Sequence, residues 1–193
     1  MNRPAVFLDR DGTIVEEVGF ISRASQMVLL PSAGQAIRTL NAHGFAVVVA
    51  TNQSGIARGL FDEPALDAMH RHLDGLLAAE QAAVDAYYHC PHHPEAAVER
   101  YRVDCGCRKP LPGMLLRARD DLGLDLARSW MIGDRWRDVA AGTLAGARGI
   151  LVRTGYGSAD AAAPPADARA DAILDHLMEA VDWILRSSPS SPR

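Results

Sequence analysis

Two aspartates, Asp9 and Asp11, follow the apolar run at residues 5–8 and stand two positions apart. Packing does not explain two carboxylates at the end of a buried strand, and carboxylates that face one pocket repel each other strongly. A hard cation such as Mg²⁺ relieves this repulsion, because it binds oxygen ligands and bridges carboxylates to a substrate phosphate. The alternative is a solvated Asp-Gly turn at Gly12. An EF-hand loop is excluded, because its third acid and closing glutamate are missing.

Polar residues also follow the apolar runs at 45–50 and 129–132. Thr51 begins the segment TNQSG, whose hydroxyls, amides and glycine suit the binding of an oxyanion. Asp134 follows the later run, and Asp138 lies one helical turn further on, where it can share a face with Asp134. Helix capping by TNQSG and a stabilised helix dipole at Asp138 are the simpler interpretations. If the runs are parallel strands, all these groups meet at one edge of the sheet.

All three cysteines lie in one segment at about 89–110, as C-x-H followed by C-x-C. Two close pairs separated by a loop are typical of a zinc site, and four protein ligands predict a structural metal. The predicted ligands are Cys90, His92, Cys105 and Cys107. His89 and His93 are alternative ligands, and a redox pair or unpaired cysteines are alternative explanations. A zinc ribbon that binds nucleic acid is disfavoured, because the loop lacks a basic stripe with interleaved aromatic residues.

Lys109 is the single lysine among 20 lysine and arginine residues, and it stands two positions after the last cysteine. A metal-bound loop would direct Arg108 and Lys109 toward the edge that carries the acids. A compact ammonium group suits a contact with both a nucleophile and a phosphoryl group, whereas a guanidinium group is broader. A GC-rich coding sequence is the simpler explanation of the arginine bias, but it leaves the one lysine unexplained.

The elements that must position these residues follow from the hydrophobic pattern. Short apolar runs alternate with amphipathic stretches of helical length, which predicts an α/β protein with a largely parallel sheet and helices on both faces. The predicted strands are 5–8, 45–50, 84–89, 129–132, 149–152 and 171–174. The predicted helices are 32–43, 62–82, 112–123, 135–146 and 176–186. We expect a single domain over 1–186, a surface loop at 157–170 and a flexible tail at 187–193.

Composition excludes several classes of protein. A net charge of −4 gives no general attraction to nucleic acid or to anionic membrane surfaces. No apolar run approaches the roughly 20 residues of a transmembrane helix. The first residues, MNRPAVFLDRDG, contain too short an apolar stretch for a signal peptide. Three clustered cysteines form a poor disulfide framework, so we expect a cytoplasmic protein.

Four short motifs occur in order along the chain: FLDRDGT, VVVATNQSG, RKP and MIGDRWRD. In this combination the chain resembles the haloacid dehalogenase superfamily. The resemblance implies a three-layer Rossmann-like fold without a large cap domain, with Asp9 as the nucleophile and Asp11 as the acid and base. It also implies Mg²⁺ held by the Asp9 carboxylate, the Asp11 carbonyl and the Asp134 carboxylate. Thr51 and Lys109 would hold the phosphoryl oxygens.

The segments CPHHP, CRKPLPGMLL and TNQSGIARG narrow the resemblance. With them the chain is similar to the D-glycero-D-manno-heptose 1,7-bisphosphate 7-phosphatases, small zinc-loop enzymes whose close relatives are the histidinol-phosphate phosphatases. The implied reaction removes the 7-phosphate on the route to nucleotide-activated heptose for the bacterial surface. By position, the implied substrate contacts are Glu17, Val18, Gly19, Phe20, Thr51, Asn52, Gln53, Ser54, Arg108 and Arg135.

Three other functions fit part of this pattern. Histidinol-phosphate phosphatase is the main alternative, because the catalytic motifs and the zinc loop do not separate the two activities. A polynucleotide 3′-phosphatase shares the first two motifs, but the short chain, negative charge and zinc loop argue against it. A zinc-stabilised binding protein without catalysis is disfavoured by the complete set of acids. We expect a small phosphosugar substrate, no nucleic-acid or membrane partner, and a monomer.

Overall fold

A computed structural model describes residues 2–187 of the chain. Six strands form one parallel sheet in the order β3-β2-β1-β4-β5-β6. The strands are β1 (Ala5–Leu8), β2 (Ala46–Asn52), β3 (Ala86–Cys90), β4 (Trp130–Gly133), β5 (Arg148–Val152) and β6 (Ala172–Leu174). Each predicted strand overlaps an observed one, so the predicted parallel α/β sheet is confirmed.

Helices cover both faces of this sheet. They are α1 (Ala33–Ala42), α2 (Ser54–Ala57), α3 (Glu63–Ala79), α4 (Gly113–Leu122), α5 (Trp136–Ala145), α6 (Gly157–Ala162) and α7 (Leu177–Ser187). Alternate residues of a strand point to opposite faces. Accordingly, Val6 and Leu8 pack with the apolar residues of α1, α3 and α7, whereas Ala5 and Phe7 pack with those of α4. The result is the predicted three-layer fold.

The strand order explains which residues meet at the carboxyl edge. The central strand β1 is paired on one side with β2 and on the other with β4, and Leu8 is in register with both Val49 and Ile132. The chain therefore leaves β1 and β4 side by side, while β2 continues to Asn52. Motifs that are far apart in sequence are brought together by this arrangement.

The structure differs from prediction at 157–162, where the expected surface loop contains α6. Three of these six residues are alanine, which has the highest intrinsic helix propensity. The helix is also tied to α5, because the Asp160 carboxylate accepts hydrogen bonds from the Trp136 backbone (2.9 Å) and Arg135 (3.2 Å). Of the predicted tail, Ser187 belongs to α7, and 188–193 lies outside the described residues.

Connections between the described elements contain no cap domain. Two long segments, 9–32 and 91–112, instead rise above the carboxyl edge of the sheet. Among the described helices, none combines the length and apolar character needed to cross a membrane.

Candidate active site and metal-binding loop

Three buried aspartates lie together at the carboxyl edge of the sheet. Asp9 follows β1, Asp134 follows β4, and Asp138 lies in the first turn of α5. One carboxylate oxygen of each lies within 4.8 Å of the others. Burial and the nearby charge of Asp9 raise the pKa of Asp134 to about 7. Three buried carboxylates this close together repel one another, so Asp9 and Asp134 fit a divalent cation such as Mg²⁺.

The Asp134 carboxylate lies against the backbone of two glycines. Gly12 and Gly155 have φ angles of +77° and +53°, and a Cβ atom at either position would overlap the Asp134 side chain. These conformations are favourable only for glycine. In addition, the Tyr156 backbone N–H donates a hydrogen bond of 2.8 Å to Asp134 Oδ2. The carboxylate is therefore held in one orientation toward Asp9.

Lys109 supplies a positive charge to this cluster. Its amine lies 3.0 Å from Asp9 Oδ1 and 2.7 Å from Asp138 Oδ1, and it donates a hydrogen bond of 2.7 Å to the Ala50 carbonyl. Burial alone would lower the pKa of this amine, but the Asp138 and Asp9 carboxylates outweigh burial and raise it above the ordinary lysine value. Lys109 is therefore a charged group fixed beside Asp9.

Asp11 belongs to a hydrogen-bond network with the side chains of Arg10 and Gln53. Its carboxylate accepts hydrogen bonds from Arg10 Nε (3.0 Å) and Arg10 Nη2 (2.9 Å). It also accepts one from Gln53 Nε2 at 3.0 Å, and the same nitrogen donates to Thr51 Oγ1 at 2.9 Å. Thus a hydrogen-bonded chain joins Asp11 to Thr51, the first residue of the predicted oxyanion-binding segment.

An open cavity of about 300 Å³ lies above Asp9 and Asp11. Nine of the ten predicted substrate contacts line it: Glu17, Gly19, Phe20, Thr51, Asn52, Gln53, Ser54, Arg108 and Arg135. Val18, the tenth, is not part of the lining, and about half of its surface is exposed. Asn52 also fixes the position of Lys109, because its side-chain amide exchanges two hydrogen bonds with the Lys109 backbone (3.0 and 3.1 Å).

The four predicted zinc ligands converge beside this cavity. Cys90 Sγ lies 3.1 Å from Cys107 Sγ and 3.6 Å from Cys105 Sγ, and His92 Nδ1 lies 3.3 Å from Cys107 Sγ. Sulfur ligands about 2.3 Å from a zinc ion lie about 3.8 Å apart in a tetrahedron, so the cluster is close to the required size. Burial raises the pKa of the Cys90 thiol, and a bound Zn²⁺ would favour its thiolate. These residues fit Zn²⁺.

The two alternative histidines lie outside the cluster. The His93 ring accepts a hydrogen bond of 3.1 Å from the Glu95 backbone, and the His89 ring lies 6.4 Å from that of His70. Arg108, directly after the last cysteine, donates a hydrogen bond of 3.2 Å to the His92 carbonyl. The cluster thus connects directly to the segment that carries Arg108 and Lys109.

Comparisons with known proteins agree with this geometry. Residues 106–180 match the family described as HAD-hydrolase-like. The chain is 44% identical over 191 residues to the D-glycero-beta-D-manno-heptose-1,7-bisphosphate 7-phosphatase of Escherichia coli (strain K12), covering 98% of this chain and 92% of the relative. The enzyme of the same name from Vibrio cholerae is 38% identical over 187 residues, covering 96% and 98%. The chain belongs to this family of haloacid dehalogenase phosphatases.

A solved structure supports the same assignment. The D,D-heptose 1,7-bisphosphate phosphatase of B. bronchiseptica, complexed with magnesium and phosphate, superimposes with a TM-score of 0.84 at 35% identity, covering 96% of this chain and 99% of that one. The predicted haloacid dehalogenase fold is therefore confirmed. As a member of this phosphatase family, the chain is a phosphoric monoester hydrolase.

Sequence reasoning missed several residues of the phosphatase cavity. Arg58, Phe61, Arg137 and Tyr156 line it, and Arg58 lies over the Phe20 ring at 5.6 Å. Arg58 could have been predicted, because it stands four residues after Ser54. On a helix that begins at Ser54, the two side chains lie on the same face. The role of Arg10, between the two aspartates, had no comparable signal.

Proposed function

We propose that this chain hydrolyses the 7-phosphate of D-glycero-D-manno-heptose 1,7-bisphosphate. The observation that carries the proposal is the position of Asp9, paired with Lys109 and facing a cavity rich in cations. Four arginines line that cavity: Arg58, Arg108, Arg135 and Arg137. The relatives described above are named for this activity and cover nearly the whole chain.

The four arginines provide binding groups for the second phosphate of a bisphosphate substrate. Burial and the like charges of Arg137 and Arg58 lower the pKa of Arg108, as expected for a group of cations without enough anions. Lys109 and Thr51, deeper in the site, serve the phosphate that reacts. The arginines nearer the opening then bind the phosphate that is kept, and guanidinium groups suit this role because they bind phosphate in a bidentate manner.

In the first step, a carboxylate oxygen of Asp9 attacks phosphorus, and the bond from phosphorus to the sugar oxygen breaks. Asp11 donates a proton to that oxygen, so it leaves as a hydroxyl group of the sugar phosphate rather than as an alkoxide. Thr51 and Lys109 hold the phosphoryl oxygens while charge develops on them. The phosphoryl group is then an acyl phosphate on Asp9, and one difficult displacement has become two easier ones.

In the second step, water attacks the phosphorus of the acyl phosphate. Asp11 accepts a proton from this water, the bond from phosphorus to the Asp9 oxygen breaks, and inorganic phosphate leaves. A divalent cation held by the Asp9 and Asp134 carboxylates and the Asp11 carbonyl would reduce repulsion between the nucleophile and the phosphate. Zn²⁺ in the cysteine cluster would order the loop that carries Arg108 and Lys109.

The product, heptose 1-phosphate, keeps the phosphate that a nucleotidyltransferase needs to form a nucleotide-activated sugar. We therefore assign the reaction to the synthesis of nucleotide-activated heptose for surface glycans. A cluster of three reduced cysteines suits a reducing compartment, and we propose a cytoplasmic location on that ground.

Phosphate release from four substrates tests the proposal. Both anomers of heptose 1,7-bisphosphate, fructose 1,6-bisphosphate and histidinol phosphate are compared with Mg²⁺ and with a chelator. We expect the highest kcat/KM for the β anomer, which the relatives act on by name, and loss of activity with the chelator. A higher kcat/KM for histidinol phosphate would overturn the substrate assignment, and no release from any substrate would favour a non-catalytic protein.

The Asp9→Asn variant is the control for the chemistry. An amide is a far poorer nucleophile than a carboxylate, so turnover should be lost while circular dichroism and zinc content are unchanged. A variant that kept a tenth of the wild-type kcat would contradict the covalent mechanism.

A further inference from the structure

The Gln53 side chain is buried and lies between three other side chains of the site. Its Nε2 donates hydrogen bonds to Asp11 Oδ2 (3.0 Å) and Thr51 Oγ1 (2.9 Å). Its Oε1 accepts a hydrogen bond of 3.2 Å from Arg10 Nη2. Gln53 is thus hydrogen-bonded both to the proposed proton donor and to a proposed phosphoryl ligand.

Only one orientation of the amide satisfies these partners. Arg10 can only donate, so the amide oxygen must face Arg10 and the nitrogen then faces Asp11 and Thr51. Both amide hydrogens of Gln53 are then used within the protein. No side-chain hydrogen of Gln53 is left to donate to a substrate.

This arrangement also determines the direction of the Thr51 hydroxyl hydrogen. A hydroxyl group that accepts a hydrogen bond keeps its own hydrogen for another acceptor. Because Gln53 Nε2 donates to Thr51 Oγ1, the Thr51 hydrogen is available to the cavity, where the phosphoryl oxygen is expected. Among the described residues, none accepts a hydrogen bond from Thr51 Oγ1.

Arg10 acts on the same carboxylate from beneath. Its side chain is fully buried and is not part of the cavity lining. Two of its nitrogens bind the two oxygens of Asp11, a bidentate pairing that fixes the plane of the carboxylate. A third contact, to Gln53 Oε1, joins Arg10 to the amide.

We propose that Gln53 and Arg10 are positioning residues, which align the Asp11 carboxylate for proton transfer and the Thr51 hydroxyl for the phosphoryl group. The proposal rests on the function proposed above, since it requires Asp11 to be the acid and base. It replaces the predicted substrate contact of the Gln53 side chain by an action through Asp11 and Thr51.

The isosteric variant Gln53→Glu tests this role. A carboxylate opposite Asp11 turns an attraction into a repulsion, and it accepts the Thr51 hydrogen that should face the phosphate. We expect kcat for an alkyl phosphate to fall by roughly 100-fold, as for a misplacement of about 1 Å, with KM changed by less than about threefold. A matched control is Gln35→Glu, which makes the same change at an exposed position on α1 and should leave activity unchanged.

The leaving group provides a second measurement. A nitrophenolate leaves without protonation, whereas an alkoxide requires the proton from Asp11. If Gln53 positions Asp11, the loss of kcat/KM, which reports the first step only, should be at least about tenfold larger for a sugar monophosphate than for p-nitrophenyl phosphate, because the second step is the same for both substrates. Equal losses on the two substrates, or a raised KM with unchanged kcat, would overturn the proposal.

Arg10→Lys provides an independent variant, because it keeps the charge but loses the two-point contact with Asp11. We expect the same selective loss on the sugar phosphate; if this variant does not fold, Gln53→Glu alone decides. The substrates are ordinary phosphate monoesters, so an error in the heptose assignment does not affect the result. A wild-type enzyme that hydrolysed neither would overturn both proposals, whereas equal losses would overturn only the positioning role.

Discussion

The amine of Lys109 lies 2.7 Å from Asp138 Oδ1, and neither side chain is exposed to solvent. Asp138 is itself fixed, because its other oxygen accepts a hydrogen bond of 3.0 Å from the Arg135 backbone at the start of α5. A single carboxylate therefore caps α5 and binds the lysine that faces Asp9. Stabilisation of the helix dipole and a role in the site were the alternatives for Asp138, and its position at the start of α5 and its contact with Lys109 fit both.

Replacing Lys109 by arginine should reduce kcat by roughly 100-fold, because a misplacement of about 1 Å at a reacting centre has that effect. The guanidinium group is larger than the fully buried space occupied by the amine, and its hydrogen bonds leave in a fixed fork. Steady-state kinetics on a phosphate monoester would measure the loss. A Lys109→Arg enzyme with more than half of the wild-type kcat would show that the single lysine is an accident of composition.

Arg108→Lys is the matched control, since it makes the reverse exchange at the neighbouring position. Arg108 lines the cavity and is assigned to the phosphate that is kept. We therefore expect KM to rise while kcat changes little. A kcat loss as large as that of Lys109→Arg would show that the two cations do not have separate roles.

Replacing Asp138 by asparagine should lower both stability and activity. Removing one partner of a buried ion pair usually lowers the free energy of unfolding by about 3–5 kcal/mol. We expect a loss of about 3 kcal/mol here, because Asp9 remains paired with Lys109. Urea unfolding would measure the free energy of unfolding, and kcat should fall because the amine is no longer held on two sides. Unchanged values for both would mean that Asp138 serves only as a helix cap.

Much of this site was predictable because parallel strands end at the same edge of the sheet. The apolar runs gave the strands, and the polar residues that follow them, Asp9, Thr51 and Asp134, meet as predicted. The cluster of three cysteines and one histidine was predictable from the spacing of its members alone. His92 is the histidine found in that cluster, as the spacing favoured.

The orientation of loop side chains was not predictable in the same way. Arg10 stands between two acids that were expected to face a pocket, yet it is fully buried beneath Asp11. Its direction depends on Gln53, which is 43 positions away in sequence, so no local pattern reports it. The helix α6 was missed for a related reason, because its contacts through Asp160 are with α5.

We expect about one zinc ion per chain in freshly purified protein. The Cys107→Ala variant should lose this zinc and most of its activity, because Cys107 is two residues from Lys109. The domain should remain folded, since strands and helices supply most of both apolar core clusters and the loop adds only Ala96 and Tyr101 to their buried residues. Metal analysis and circular dichroism would measure the two effects. Protein purified without chelator that contained no zinc would contradict the structural metal site.

The stability of the protein should fall below about pH 6.5 because of His70 on α3. Burial, and secondarily the charge of Arg10, lower the pKa of His70 to about 3, and its ring stacks on Tyr87 at 4.3 Å. In the unfolded chain this pKa returns to about 6.5, so the unfolded state binds a proton that the folded state does not. The contribution of neutral His70 to the free energy of unfolding is complete above pH 6.5 and is lost progressively between pH 6.5 and pH 3.

The variant His70→Phe keeps an aromatic ring and removes the titrating group. Between pH 7.5 and 5.5, the wild type should lose about 1.4 kcal/mol of unfolding free energy that the variant keeps. Urea unfolding at several pH values would measure the difference between the two slopes. His72→Gln, at an exposed position on the same helix, is the control and should follow the wild type. If the free energy of unfolding of His70→Phe had the same pH dependence as that of the wild type, His70 would take up its proton in the folded state as well. The assignment of a neutral, buried His70 would then be wrong.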